Sequence, residues 1–323
     1  MFLIQEESVL QKVTLGLSGL KVSEICFGSL AISPLQGRVT CERGMEVLRY
    51  AVARGIDWID TAEIYNNYPQ LKPVLREYPE VIVVTKSYAV TKQEIADSLE
   101  KARMGLGRDV IDVFLLHEQE SHHTLRGHAG AWEGLLEAKA RGLVSAIGIS
   151  THAVQGVKAG ALQPGLDVIH PLINHKGLGI IDGTVTDMLE AIRFAADLGM
   201  GIYAMKVFGG GHLASTPDEA IDFVRHIPGI QAMALGMSSV AEVEYNLLLL
   251  EGKDIPEQLR YAVQHRVRKL YIADWCQGCG KCIDHCPQTA LYLEHGQARV
   301  TAHKCILCGY CGRYCPHFCL KIV

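Results

Sequence analysis

Eight short apolar runs recur along the front of the chain, with amphipathic helical runs between them, and few architectures can satisfy that alternation. The apolar runs are ICFGS (25–29), DWIDTA (57–62), VIVVTK (81–86), IDVFLLH (111–117), SAIGIST (145–151), DVIHPLI (167–173), GIYAMKV (201–207) and QAMALGM (231–237). Helical patterns lie between them, for example at 41–55, 91–107, 132–142, 185–199 and 238–252. Eight strands alternating with helices over about 250 residues predict an α/β fold of the (β/α)8 TIM-barrel type. A short pair around Leu15–Leu17 and Leu20–Val22, turning at Ser18–Gly19, is expected to form a hairpin that closes the barrel floor.

The tail obeys a different rule. Eight of the 11 cysteines fall into two matching runs. The first is Cys276, Cys279, Cys282 and Cys286, followed by Pro287; the second is Cys305, Cys308, Cys311 and Cys315, followed by Pro316. Both follow C-x2-C-x2-C-x3-C-P and resemble bacterial ferredoxins that hold two 4Fe–4S clusters. Three closely spaced cysteines wrap one face of a cubane, and in two-cluster ferredoxins the fourth reaches across to the other cluster. The expected sets are therefore Cys276, Cys279, Cys282 and Cys315, and Cys305, Cys308, Cys311 and Cys286. A pair of zinc knots is the competing reading, since zinc also accepts four thiolates. Four cysteines per run, the prolines and the repetition count against it. The other three, Cys26, Cys41 and Cys319, have no such spacing and read as ordinary residues. The resemblance implies a small α+β bacterial-ferredoxin-like domain over 273–323, with ALYLEHGQARVTAHK (290–304) as a short hairpin around Gly296. A linker helix over 256–272 is expected to join it to a barrel over 1–255. The linker carries Arg260, Arg266, Arg268 and Lys269, read either as a solvated face or as a surface for an acidic ferredoxin.

Barrels of this kind carry their chemistry at the C-terminal ends of the strands. The second run ends in Asp60, with Tyr65 in the next loop; the third ends in Lys86 and the fourth in His117. An acid, a phenol, an ammonium and an imidazole thus converge on one mouth. GIDWIDTAEIY (55–65), VVTK (83–86) and DVFLLH (112–117) resemble the aldo-keto reductases, and the resemblance runs over roughly 12–250. It implies a catalytic tetrad of Asp60, Tyr65, Lys86 and His117 that reduces carbonyls with hydride from a nicotinamide. The chemistry is coherent on its own. Hydride added to a carbonyl carbon leaves charge on oxygen, and a donor must protonate it. Tyrosine, with an ordinary pKa near 10, is expected to be lowered by the Lys86 cation. Asp60 would hold Lys86, and His117 would orient the carbonyl.

The resemblance also implies cofactor contacts. Ser150 and Asn174 would meet the nicotinamide amide, Met205 would stack on its ring, and His170 stands where the family has a glutamine. Gly209, Gly210 and Gly211 would let backbone amides approach phosphate. Around the eighth run the family often grips the 2′-phosphate of NADP with Lys and Arg; the matching positions here, with Asn246 further along, are Gly236 and Glu242. A glutamate repels a phosphate and suits a free ribose hydroxyl, so NAD and NADP both stay open. The segment NNYPQLKPVLREYPE (66–80) carries Pro69 and Pro73, which suggests a truncated helix. In the loop EQESHHTLRGH (118–128), His122, His123 and His128 are candidates for metal or substrate.

A net charge of −4 gives no reason to expect nucleic acid or an anionic membrane as partner. The start, MFLIQEES, lacks the basic and apolar regions of a signal peptide. A soluble cytoplasmic protein is expected. Hydride carries two electrons and a cluster one, so FMN is left open as a converter between them. Three functions remain. One is a carbonyl–alcohol oxidoreductase whose clusters relay electrons to or from a ferredoxin-like partner. The second is a nicotinamide-dependent reductase with a structural or docking tail. The third is a non-catalytic electron-transfer or redox-sensing subunit.

Overall fold

The computed structural model describes residues 10–36 and 39–323. The N-terminal stretch read above for a signal peptide lies outside these residues.

The chain opens with a hairpin, β1 (Lys12–Thr14) and β2 (Lys21–Ser23). Its strands are one to three residues displaced from the expected pair, because a single 3-10 turn over Gly16–Ser18 takes up the middle. Eight parallel strands follow and close on themselves: β3 (Ile25–Gly28), β4 (Trp58–Asp60), β5 (Ile82–Ser87), β6 (Ile111–Leu116), β7 (Val144–Thr151), β8 (Val168–Pro171), β9 (Gly201–Ala204) and β10 (Ala232–Leu235). The helices that pack outside are α1 (Cys41–Ala53), α2 (Tyr68–Glu77), α3 (Lys92–Leu106), α4 (His122–Gly127), α5 (Ala129–Ala140), α6 (Val154–Ala161), α7 (Val185–Asp197), α8 (Pro217–Arg225) and α9 (Val240–Leu250). Capping boxes at Thr91/Glu94 and Thr184/Asp187 fix the starts of α3 and α7 by satisfying amide donors that no helical carbonyl reaches.

The barrel has two cores. One lies inside, where Leu15, Val22, Trp58, Val84, Val113 and Tyr203 pack, and Trp58 Nε1 donates to the carbonyls of Ser23 and Ile25. The other lies between the strands and the helices. The hairpin does close the floor: a β-carbon on Gly16, at φ 49°, would sit 2.2 Å from Gly201 N. Only glycine fits there.

Helix α2 is not truncated. Pro69 stands at its first turn, where no helical bond is lost, and Pro73 is carried inside its 10 residues.

The linker differs from the expected helix over 256–272. Helix α10 ends early (Glu257–Gln264), and β11 (Leu270–Ile272) pairs antiparallel with β14 (Leu320–Ile322). The run LYI pairs as a strand because its partner at the end of the chain completes a two-stranded sheet. Between them come α11 (Lys281–Asp284), the hairpin β12 (Leu291–Glu294) and β13 (Gln297–Val300), and α12 (Tyr310–Arg313). Leu270, Leu291, Ala298, Leu320 and Ile322 form the core of this small α+β domain, with the cysteine side chains around it.

The small domain sits on the barrel mouth. His212 Nε2 donates to Leu320 O at 3.0 Å, Arg268 donates to Ala214 O, and Tyr271 donates to Leu35 O. Among the described residues no helix is long and apolar enough to cross a membrane.

Candidate active site

Parallel strands in register bring their ends together, so neighbours in strand order become neighbours at the mouth. Lys86 Nζ, nearly two residues deep on β5, donates to Asp60 Oδ1 at 2.6 Å and to Thr61 O at 2.8 Å. The second carboxylate oxygen of Asp60 accepts from Tyr203 Oη at 2.8 Å. Burial opposes the Asp60 charge, but Lys86, His170 and the Tyr203 hydrogen bond outweigh it and hold the carboxyl below its ordinary range. A buried pair held from both sides in this way keeps its ions paired.

Tyr65 closes a single 3-10 turn, Glu63–Tyr65. The Lys86 ammonium lies 5.4 Å from its ring centroid, and the His117 ring meets it edge-on at 6.2 Å. The expected lowering of the phenol by Lys86 is not found. Burial, then Asp60, Glu118 and Tyr88, hold it well above 10, because the ammonium faces the ring and gives its bonds to Asp60 and Thr61. Tyr65 therefore keeps its proton at neutral pH.

His117 stacks on Tyr88 at 4.4 Å. Burial, with Lys86 adding to it, pushes its pKa down to about 3, so the ring is neutral. Its Nδ1 is buried with no hydrogen-bond partner. His170 stacks on Tyr203 at 3.7 Å, and its Nδ1 bonds to Tyr203 O at 2.6 Å. Burial pushes it to about 3 as well, so Nδ1 carries the proton and donates to that carbonyl.

The tetrad opens into a long cleft. Met205, Gly210, Gly211, Gly236, Glu242 and Asn246 all line it. Two expected contacts are not brought there. Ser150 Oγ accepts from Glu118 N at 3.0 Å, and Asn174 braces the following loop through Leu178 and Lys206; both are fully buried away from the lining. Gly209 is buried under Leu178 and Leu213.

The glycine triplet meets protein. A β-carbon on Gly211, at φ 93°, would lie 1.9 Å from Ile322 O, and one on Gly210 would lie 2.9 Å from the Phe318 ring. The close approach it permits is that of the small domain. Glu242 likewise has company: it accepts from Ser238 N and Ser238 Oγ, and Arg266 of the linker donates to it at 2.7 Å and to Ser238 Oγ at 2.7 Å. An arginine stands at the eighth strand end after all, delivered from outside the barrel.

The histidine-rich loop folds into α4. His122 and His123 are exposed at its start, and His128 Nδ1 bonds to Thr124 O. None of the three lines the cleft.

The eight cysteines of the two runs are divided between two small cavities. Cys276, Cys279, Cys282 and Cys315 line one small cavity, and Cys286, Cys305, Cys308 and Cys311 line another. Among the described residues no three His, Cys, Asp or Glu side chains converge as ligands of a single ion would. Four thiols spread around a cavity fit a cubane. Backbone amides of Ala290, Ala298 and Cys319 donate to Cys286, Cys276 and Cys315 sulfur, which favours charge there.

Several residues at the mouth were not legible beforehand. Tyr203 on β9, Glu118 and Lys206 just past two strand ends, and His152 belong to it. Extending the strand-end rule by one residue would have caught Glu118 and Lys206. Trp275, Phe318 and Lys321 come from the small domain, and no local signal marked them.

The sequence model of the Aldo/keto reductase family matches residues 24–252, and that of a 4Fe-4S dicluster domain matches 268–316. A D-threo-aldose 1-dehydrogenase of Pseudomonas is 25% identical over 62% of this chain and 70% of its own. An NADPH-dependent alpha-keto amide reductase of Saccharomyces cerevisiae is 29% identical over 39% of this chain and 45% of its own, so less than half of that enzyme is spanned. The aldo-keto reductase structure from Bacillus halodurans shares the fold at a TM-score of 0.65 and 18% identity, over 79% of this chain and 96% of that one.

Proposed function

The chain belongs to the aldo/keto reductase family and carries a 4Fe-4S dicluster domain, and from that premise we propose that it interconverts a carbonyl and an alcohol at the barrel mouth while its clusters exchange electrons with a partner protein. The observation that carries the first half is the Tyr65 phenol set between His117 and the Lys86–Asp60 pair.

Met205, Gly210, Gly236, Glu242 and Asn246 along the cleft would hold NAD or NADP, which would supply hydride for the carbonyl carbon. Tyr65 gives its proton to the carbonyl oxygen, which balances the reduction to an alcohol. His117, neutral and lining the cleft, takes the oxygen into a hydrogen bond and fixes its direction. Lys86 places positive charge beneath the phenol ring, which stabilises the tyrosinate left behind. Asp60 and Tyr203 keep Lys86 from swinging away. The cleft walls exclude water from the transfer.

The clusters, held by the two cysteine sets, supply one-electron exchange. Cys315 leads through Pro316 and His317 to Phe318, whose ring packs 5.9 Å from His152 at the mouth. That contiguity favours a relay over a detached tail. FMN would be needed to split the hydride pair.

The test is anaerobic. NADH or NADPH is added to cluster-loaded protein without substrate, and the visible cluster absorption is followed. Bleaching supports the relay. Unchanged absorption together with reduction of a test aldehyde leaves the barrel working alone, with the domain as wall and docking surface.

A further inference from the structure

Beyond the tetrad lies a second chamber, closed on the barrel side by Tyr65, Tyr88 and His117 and on the ferredoxin side by Trp275, Phe318 and Lys321. It is where barrel chemistry and cluster domain share a wall. Trp275 directly precedes Cys276, and Phe318 lies three residues past Cys315.

Two ammonium groups reach it, each over an aromatic face of the ferredoxin domain. Lys206 Nζ lies 5.2 Å from the Phe318 ring centroid, and Lys321 Nζ lies 4.5 Å from that of Trp275. A cation–π contact is favourable but gives the Lys206 N–H donors no acceptor. Among the described residues the Lys206 side chain has no hydrogen bond or ion pair. The nearby carboxylate, Glu118, accepts from Tyr88 Oη at 2.5 Å and faces His152 Nε2 at 3.9 Å. The chamber's other titratable groups, His117 and His152, are kept neutral by burial, while Glu120 and His317 stand at its rim.

Backbone geometry sets these groups apart. Lys206 holds φ 59° and Glu118 holds φ 51°, left-handed values that strain any residue with a β-carbon. Each directly follows a strand-end residue of the mouth, Met205 or His117. The strained turns aim one cation and one anion into the same space.

We propose that this chamber binds the substrate, and that the substrate carries a carboxylate: a keto acid, hydroxy acid or carboxy-aldehyde with an aromatic or apolar body. Lys206 holds the anionic end. The faces of Tyr88, Trp275 and Phe318 take the body, and the carbonyl meets Tyr65 and His117. A carboxylate gives Lys206 the acceptor it lacks and repels Glu118 toward Tyr88, where its bond already lies. This rests on the hydride-transfer reading of the tetrad. It makes the ferredoxin domain a determinant of specificity.

The test uses cluster-loaded full chain and calorimetric binding of phenylglyoxylate, with acetophenone as the neutral ligand of similar shape. Wild type should bind the acid at least about tenfold more tightly. Lys206→Met should abolish that preference and Lys206→Arg should retain it, with NAD(P)H affinity unchanged in both. In turnover, Lys206→Met should raise KM for the acid far more than it lowers kcat. Equal binding of acid and ketone by wild type overturns the proposal. So does a Lys206→Met variant that loses NAD(P)H as much as phenylglyoxylate, which would assign the cation to a cofactor phosphate. Where Lys206→Met fails to keep its iron, Lys206→Gln gives the same comparison. Tyr65→Phe separates the two readings: it should stop turnover and leave acid binding intact, and normal turnover would sink the hydride reading alone.

Discussion

At the tetrad end of the cleft, Asp60, Lys86 and His117 come from three neighbouring strand ends and Tyr65 from one turn between them. At the far end, Gly211, Ser238 and Glu242 of the barrel meet Ile322 and Arg266, which belong to other parts of the chain. The first end is assembled by register, the second by docking. Parallel pairing is a local rule, so spacing in the sequence becomes spacing in the site. Docking obeys no such rule. Its residues are placed by the shape of two finished surfaces.

The comparison is sharpened first at the tetrad. Tyr65→Phe removes the proton donor and leaves the packing, so kcat for carbonyl reduction should fall about 10²–10⁴-fold. The melting temperature should not move. A variant that keeps full rate would break the claim that register alone delivers a working acid. The rate of wild type should also stay flat from neutral pH into the alkaline range, because burial holds the phenol well above 10.

The same end should govern stability in acid. His117 and His170 both titrate near 3 in the folded protein, pushed down first by burial. In the unfolded chain they return to about 6.5. Below that value the unfolded chain holds more protons than the folded one, so stability falls as pH drops. Each histidine contributes about 1.4 kcal/mol per pH unit until its folded pKa is approached. Thermal melts between pH 7 and 4 measure this, and the His170→Gln variant should show a shallower slope. An unchanged slope would mean that the mouth is wetter than its packing shows.

The docked end is tested at Gly211. An added methyl would meet Ile322 O at 1.9 Å and force a left-handed backbone besides. Gly211→Ala should destabilise the protein by about 2 kcal/mol and lower its iron content, with the barrel still folded. If melting and iron are unchanged, the glycine triplet is not the seat of the small domain.

The eight apolar runs foretold the barrel, and the two C-x2-C-x2-C-x3-C runs marked the cysteines, because both are short-range codes; their crossed grouping came from the resemblance to two-cluster ferredoxins. The tetrad was legible for the same reason. Its electrostatics were not: Lys86 was expected to lower Tyr65, but desolvation, a property of the closed mouth, dominates. Ser150 and Asn174 were assigned to cofactor by position, yet each was already bound to a neighbouring loop, Glu118 N and Leu178 N. The linker helix failed at Leu270–Ile272 because a strand partner some 50 residues on outweighs local helical pattern. Gly209–Gly211 were read as open backbone for phosphate; nothing near them in sequence announces Ile322 or Phe318.

Arg266 carries the smallest expected effect and the finest distinction. A glutamate at position 242 alone argues for a free ribose hydroxyl, since it would repel a 2′-phosphate. The linker sets a guanidinium against it at 2.7 Å and against Ser238 Oγ at the same distance, so the site holds one charge of each sign. Removing the positive one should leave Glu242 bare. Arg266→Met is then expected to weaken NADPH about tenfold relative to NADH, read as the ratio of the two dissociation constants. Glu242→Gln should move that ratio the opposite way, because it frees the guanidinium for phosphate. If neither variant changes the ratio, the pair only ties linker to barrel, and the far end of the cleft owes its cofactor choice to backbone alone.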